Sequence, residues 1–479
     1  MSSPAVPAHR TKIVATIGPA SDSPAVLREL IQAGLNIARL NFSHGDFAGH
    51  ERIIETIRAA EKAAGRRVAI MADLSGPKIR LGTLGVEKIQ LRAGDRFTLT
   101  TEEVVGTPER MSVSFARLPQ VVKRGDLLSL NDGTVQIEVA EVRGADVACT
   151  VRVGGELRAR KGLNLPGLDL GISAFTDRDR ECLAFALDKG VDAVSQSFVE
   201  GAADVEAVRA AARALGHRPF VIAKIERSRA LDRLDEILEA ADGVMIARGD
   251  LGVEIPIERI ALVQKDIMRR ASLRSKPVIT ATQMLESMTA QRLPTRAEAT
   301  DVSNAILDGT DAVMLSAESA TGAYPVEAVA MLARIAAAVE PAIRPVPAKT
   351  KYAGVDLAGR VRPEHLIAVS IEASLEFLRP ALIVVPSATG STARLLAALR
   401  LPVPVVAIST DPGTCQHLQF SYGVTAVHRP DLPVSWTPFV RDWMGRHRLH
   451  GEFAILVERV PRDDPAGTHR IEIIKLEGP

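Results

Sequence analysis

The chain repeats one unit eight times: a short, continuous apolar run followed by an amphipathic stretch. The runs cover residues 12–16, 36–40, 68–72, 193–197, 220–223, 243–247, 277–280 and 312–315. Each is rich in Val, Ile, Leu and Ala without alternation, the pattern of strands covered on both faces in a parallel sheet. Helical patterns follow at 23–33, 47–63, 204–215, 229–240 and 258–274, and two later ones open at the PTRAE string and near Tyr324-Pro325. Eight units, about 250 residues once one insertion is set aside, predict an α/β fold of the (β/α)8 TIM-barrel type. An open doubly wound sheet alternates in the same way and is the rival architecture. In either fold, functional residues belong just past the C-terminal ends of the strands.

The insertion follows the third strand. Over 82–161 the rhythm changes to short β-rich pieces at 88–91, 96–100, 127–130, 136–142 and 147–153, separated by Gly-containing turns. This predicts a small antiparallel β-barrel carried as a lid. A Pro-containing linker, IRPVPAKT, leads to a renewed α/β pattern with a helix at 364–377 and strands at 381–385, 405–408, 424–427, 453–457 and 470–475. Three domains are expected: a catalytic barrel over 1–81 and 162–345, a lid over 82–161, and a C-terminal α/β domain over 352–479.

Composition excludes several classes. The 59 basic and 58 acidic residues leave a net charge of +1, without the basic surplus a nucleic-acid binder needs. At 46% hydrophobic and 24% charged, the chain has ample material for a core. Three cysteines without a CxxC pair argue against a disulfide framework or structural zinc. The most apolar helical stretch, 328–343, is broken by Arg334 and Glu340, short of the roughly 20 apolar residues of a membrane span. The opening MSSPAVPAHRTK lacks an apolar signal region. A cytoplasmic enzyme with no nucleic-acid or membrane partner is expected.

Polar residues past the predicted strand ends form a constellation. The second strand ends in ARLNFSHG, giving Arg39, Asn41, Ser43 and His44; the third in ADLSGPKIR, giving Asp73, Lys78 and Arg80. The fifth ends in AKIER, with Lys224 and Glu226, and the sixth in ARGDLGVE, with Arg248 and Asp250. The seventh and eighth supply Thr282, Ser316 and Glu318. Singly, each cation reads as a solvated or ion-paired surface residue and each Asp as a helix cap. A barrel gathers them on one rim, and phosphate chemistry accounts for so many cations beside acids. Glu226 and Asp250, on adjacent strands, would hold one Mg²⁺ or Mn²⁺; two unrelated capping acids are the alternative. Lys224 lies two residues before Glu226, on the same side of an extended segment. No GxxxxGK[ST] string occurs, so nucleotide binding must use another route than a P-loop.

The strings KIVATIGPAS, NIARLNFSHG, GPKIR, NLPG, AKIER, MIARGDLGVE, ATQMLESM, PTRAEATDVSNAILDGTDAVMLSAES and YPVEAV, in this order, resemble the pyruvate kinase family. The resemblance covers almost the whole chain. It implies phosphoryl transfer from phosphoenolpyruvate to ADP, giving pyruvate and ATP in the last step of glycolysis. It implies that Lys224 faces the transferring phosphoryl group, while Glu226 and Asp250 hold the divalent ion. Backbone N–H groups at Gly249 and Asp250, with the Thr282 hydroxyl, would receive the substrate carboxylate. Arg39 would bridge the phosphoryl group and the nucleotide, with His44, Arg80 and Lys161 on the nucleotide side and a second Mg²⁺ arriving with ADP. Protonation of the enolate would fall to Thr282 and a water chain involving Ser316 and Glu318. A homotetramer is also implied.

The chain departs from the family's common pattern at DLSGPKIR, where Leu74, Ser75 and Lys78 replace Thr, Lys and Glu. Asn41, Ser43 and Asp73 match the remaining K⁺ ligands. A tethered ammonium at Lys78 would supply the charge of a bound K⁺, so activity is expected not to require K⁺. In the C-terminal domain, Ser387, Thr389, Gly390, Ser391 and Thr392 are similar in position to the family's sugar-phosphate effector loop; ordinary helix capping is the alternative. The effector, a sugar phosphate or a nucleotide, is open. Two rival functions keep part of the pattern: a divalent-metal lyase or aldolase acting on a pyruvate enolate, and a catalytically silent metabolite sensor.

Overall fold

The structure is a computed structural model that describes residues 9–344, 346–352, 363–459 and 469–476. Residues 1–8, where no signal region is expected, and the domain limits at 1, 345 and 479 lie outside these residues.

Eight strands close a parallel barrel in chain order. They are β1 (Lys12–Thr16), β2 (Ile37–Asn41), β3 (Ala69–Leu74), β4 (Ala193–Gln196), β5 (Phe220–Ile225), β6 (Gly243–Ala247), β7 (Val278–Ala281) and β8 (Ala312–Leu315). β8 pairs back onto β1, Lys12 opposite Ala312, so the open-sheet rival is excluded. Strand residues alternate between the barrel interior and the helical layer. On β5, Phe220 and Ile222 join the inner cluster, while Val221, Ala223 and Ile225 pack outward against the helices. The inward row therefore continues through Lys224. β3 (Ala69, Met71, then Asp73) and β8 (Ala312, Met314, then Ser316) repeat the pattern, so the interior is apolar at the floor and polar at the mouth.

Helix starts are locally encoded. Ser23 and Asp46 cap their helices by accepting Val26 N–H and Gly49 N–H. The PTRAE string is a capping box in which Thr295 and Glu298 satisfy each other's backbone N–H groups. One expected helix differs: 229–240 is two, Ser228–Asp232 and Leu234–Ala240, broken at Arg233.

The insert contains a six-stranded sheet and a two-stranded ribbon around one core. The ribbon pairs Lys88–Leu91 with Gly155–Arg158, and its Ile89, Leu91 and Leu157 pack against Phe97, Leu99 and Val135 of the sheet. Closure is thus by packing and not by one continuous ladder. One pair, Arg96–Thr100 with Arg110–Ser112, is parallel. The latter strand, Gly155–Arg158 and Leu163–Asn164 are each two to four residues long, too short to show a period in the sequence.

The C-terminal part forms a five-stranded sheet of β9 (Ile383–Pro386), β10 (Val405–Ser409), β11 (Val424–His428), β12 (Phe453–Arg459) and β13 (His469–Lys475). Its order is β11-β10-β9-β12-β13, with the edge strand β13 antiparallel to β12. It is fixed to the barrel floor by Arg400, which meets Asp311 at 2.9 Å, and by Phe420, which enters the inner barrel cluster and stacks on Phe220 with ring centroids 5.1 Å apart. Among the described residues, no helix is long and apolar enough to cross a membrane.

Candidate active site

The polar ends of the inward rows meet at the barrel mouth. Asp73, 2% exposed, is their hub. Its Oδ2 accepts Arg39 Nε–H at 2.8 Å and lies 2.6 Å from a second guanidinium nitrogen of Arg39. Its Oδ1 accepts the Ser195 hydroxyl at 2.8 Å and lies 3.4 Å from Lys224 Nζ. Arg39 also donates to Thr16 Oγ1 at 2.8 Å. Burial would raise the Asp73 pKa, but Lys224 and Arg39 overcome it and hold the carboxyl below its ordinary value.

Lys224 donates to Ser197 Oγ at 2.6 Å and to Glu226 Oε1 at 2.8 Å. Burial alone would drive its pKa down, yet Asp73 and Glu226 hold it above its ordinary value, so the amine is a permanent cation. Glu226, 1% exposed on its side chain, uses its other oxygen to accept Phe198 N–H at 2.7 Å. Phe198 adopts φ 58°, a costly conformation for a bulky residue, and that turn aims its N–H at the carboxylate.

Asp250 lines the same cavity of about 100 Å³ as Arg39, Asp73, Lys224 and Glu226. It lies in the first turn of the short helix Arg248–Glu254, after β6. Burial, and then the negative charge of Glu226, push its pKa up to about 6. Its carboxylate makes no hydrogen bond or ion pair among the described residues. Two like-charged carboxylates in one enclosed space, one of them unpartnered, suit a hard divalent cation whose remaining ligands are oxygens of water and substrate.

Thr282, at φ 69°, lies just past β7. Its hydroxyl accepts Gly249 N–H at 2.8 Å and donates to Ala281 O at 2.7 Å. Arg248 is spent on Asp301, 2.7 Å away, and on the Thr282 carbonyl at 2.8 Å, which fixes this turn. Ser316 lines the cavity, but Glu318 does not. Glu318 instead accepts Ser316 N–H at 2.7 Å and Leu285 N–H at 3.2 Å, holding the loops after β7 and β8 together.

The sequence pattern that defines the pyruvate kinase barrel domain matches residues 8–329, and that of the pyruvate kinase alpha/beta domain matches 365–446. The chain belongs to the pyruvate kinase family. It is 46% identical over 420 residues to a pyruvate kinase of Thermococcus litoralis, covering 88% of each chain. It is 42% identical to that of Mycobacterium tuberculosis, covering 98% of each. A crystal structure of a pyruvate kinase from Cryptosporidium parvum superposes with a TM-score of 0.91 at 34% identity, covering 99% of this chain and 98% of that one. As a pyruvate kinase the chain is a phosphotransferase, and nothing in these comparisons favours the lyase, aldolase or silent-sensor alternatives.

Of the residues expected at the nucleotide, Arg39 lines the 100 Å³ cavity, while His44, Arg80 and Lys161 do not. Arg80 donates to Arg160 O at 3.1 Å and bridges Gly162, while Lys161 O accepts Leu81 N–H at 2.9 Å. His44 is near enough to feel them: burial and then Lys78, Arg80 and Arg39 lower its pKa. A second cavity of about 260 Å³ lies between insert and barrel and shares Lys78, Phe198 and Asp250 with the first. Of the residues expected around a monovalent cation, Asn41, Ser43, Asp73, Leu74 and Lys78 all line the inner cavity; Asn41 accepts Ser43 N–H at 3.1 Å, and Ser43 Oγ is 2.8 Å from Ser75 Oγ. Sequence reasoning missed Ser195, Ser197 and the Phe198 amide. Two serines at a spacing of two interrupt the apolar β4 run, a signal for an inward polar row that was available.

Proposed function

We propose that this pyruvate kinase transfers the phosphoryl group of phosphoenolpyruvate to ADP at the barrel mouth. The bond from phosphorus to the enolate oxygen breaks, one to a terminal phosphate oxygen of ADP forms, and the enolate takes a proton at its methylene carbon to give pyruvate. The observation that carries the reading is the Lys224 ammonium, clamped by Ser197, Asp73 and Glu226 and sharing a cavity with Asp250.

Phosphoryl transfer asks the protein chiefly for positioning and charge. The Lys224 ammonium offsets charge on the equatorial oxygens of the moving group, and its raised pKa keeps it protonated throughout. Arg39, held from behind by Asp73 and Thr16, presents its guanidinium to the phosphoryl group and the nucleotide. Glu226 and Asp250 are the residues that would hold Mg²⁺ or Mn²⁺. That ion supplies Lewis-acid polarisation of the enolate oxygen, which makes it a better leaving group. The turn at Gly249, Asp250 and Thr282 receives the carboxylate. Since the Thr282 proton is given to Ala281 O, the hydroxyl orients a water as proton source, with Ser316 beside it, and Glu318 positions Ser316 through its amide. His44, Arg80 and Lys161 serve the nucleotide, whose second Mg²⁺ comes with it.

Activity needs no K⁺. Both Asp73 oxygens are already met by Arg39 and Lys224, and Lys78 adds a tethered ammonium to the same cavity. The enzyme is a cytoplasmic homotetramer of three-domain subunits with the limits given above. Ile257, Leu262 and Leu293, large apolar side chains 68–69% exposed beyond β6 and β7, support association. Ser387, Thr389, Gly390, Ser391 and Thr392 form the effector loop. ATP formation from phosphoenolpyruvate and ADP, with K⁺ replaced by tetramethylammonium, tests the central reading. Full turnover is expected; a tenfold drop refutes K⁺ independence, and no turnover with K⁺ restored refutes the function.

A further inference from the structure

Behind the mouth of the barrel, one buried acid joins the two segments that carry Glu226 and Asp250. Asp250 and Glu254 are four residues apart in the helix Arg248–Glu254, so they share one face. Asp250 lines the 100 Å³ cavity, while Glu254, one turn on, is buried against the loop after β5 with 1% of its side chain exposed. There its Oε2 accepts the Ser228 N–H at 3.3 Å and the Ser228 hydroxyl at 3.2 Å. Ser228 lies two residues past Glu226. The helix of one carboxylate is thus pinned by its last residue to the loop of the other.

The same oxygen reaches the insert. It accepts Gly167 N–H at 3.4 Å, in the segment that leads from the insert back to the barrel. Arg227, between Glu226 and Ser228, adds a second hold. Its guanidinium lies 3.6 Å from Glu254 Oε1 and 3.3 Å from Glu200, and it donates to Leu168 O at 2.9 Å. Arg229 adds a third, meeting Asp169 at 3.0 Å and Glu200 at 3.1 Å. Residues 167, 168 and 169 are therefore each gripped by Glu254 or by the loop after β5.

A carboxylate this deep is costly unless its oxygens are met. Oε2 has three donors, but Oε1 has no hydrogen bond among the described residues and faces Arg227 beyond hydrogen-bond distance. For stability alone an apolar side chain would serve as well. What the acid supplies is geometry, because two carboxylates sharing one Mg²⁺ must keep a spacing set by metal–oxygen bonds of about 2.0–2.1 Å.

We infer that Glu254 is a positioning residue for the divalent ion: it sets the spacing of Glu226 and Asp250 and makes that spacing depend on where the insert stands. The inference rests on the metal reading of these two carboxylates. Binding of the ion steadies residues 167–169, and displacement of the insert weakens the hold on the ion, as linkage requires.

Two substitutions in the full chain separate reach from charge. Glu254→Asp keeps the charge and withdraws the oxygens by one methylene; Glu254→Gln keeps the reach and loses the charge. Mn²⁺ affinity is read by electron paramagnetic resonance. Backbone exchange over 165–170 is read by hydrogen–deuterium mass spectrometry, with and without Mn²⁺. The wild type is expected to bind Mn²⁺ and to exchange there at least about threefold more slowly when it is bound. Glu254→Asp is expected to bind about tenfold more weakly or worse and to lose that protection. Glu254→Gln is expected to stay within about threefold of the wild type and to keep it. Should Glu254→Asp not fold, Ser228→Ala, which removes one of the three bonds to Oε2, is expected to weaken Mn²⁺ binding about threefold. Unchanged affinity in the variant measured overturns the inference, as does protection that ignores Mn²⁺ in the wild type. A loss in Glu254→Gln as large as in Glu254→Asp overturns it too, by making the residue a remote charge. A wild type that binds no Mn²⁺ overturns the metal reading itself, and the inference with it.

Discussion

The two ends of the barrel treat a buried lysine in opposite ways. At the mouth Lys224 has two carboxylates and a hydroxyl around it, and its pKa is held above the ordinary value. At the floor Lys12, equally enclosed, has a single carbonyl, and its pKa is pushed down to about 8. Depth is the same; counter-charge differs. A buried amine becomes a reliable cation where the chain itself supplies the anion. Where it does not, the position stays open to proton loss.

The largest effect should come from the mouth. Lys224→Met is expected to lower turnover on the order of 10³-fold, with Mn²⁺ affinity, read by electron paramagnetic resonance, little changed. A fall below tenfold would remove the contrast with Lys12. Glu226→Gln should weaken Mn²⁺ binding by about 100-fold in the same measurement. Equal affinity would mean that the two carboxylates do not share an ion.

Asp73→Asn leaves Arg39 and Lys224 short of charge, and denaturant melts should show a loss of about 3–5 kcal/mol. The Lys224 pKa then falls, so the alkaline limb of the pH–rate profile moves to lower pH; an unmoved limb would sever Asp73 from the amine. At the floor the sign runs the other way. Between about pH 8 and 10.5 the unfolded chain binds a proton at Lys12 that the folded chain does not, so stability rises with pH across this window, by on the order of 3 kcal/mol. Lys12→Met should flatten that part of the profile relative to the wild type. The smallest change is expected from Lys78→Glu, which should make turnover several-fold dependent on K⁺ while altering stability by about 0.5 kcal/mol or less, as for a surface position.

The barrel was legible because its signal is local: eight continuous apolar runs, each bounded by turn residues, fall on the eight observed strands within two residues at either end. The polar row at the mouth was legible for a related reason, since residues past strand ends must meet when the ring closes. Other features were hidden because they depend on partners remote in sequence. Glu318 and Arg248 look like rim residues in the sequence; only their contacts with Leu285 N–H and Asp301 reveal that they hold loops. Lys12 reads as the first residue of a strand, and nothing nearby announces that Val424 will be its sole acceptor among the described residues. Arg233 splits a helix that periodicity joins, its backbone leaving helical geometry at φ −110°, ψ 18°.

Phe420 has a wider consequence. A ring contributed by the last third of the polypeptide is the bung of a cylinder built by the first two-thirds, seated on Phe220 at the base of the stave that carries Lys224. A gene cut after the eighth repeat would encode a vessel without its stopper, with a hole in its bottom layer the size of an aromatic side chain. Exchange of tails between homologues must therefore carry a matching ring, or a compensating Phe220, and shuffling of these parts is constrained by one hydrophobic fit rather than by the linker that joins them.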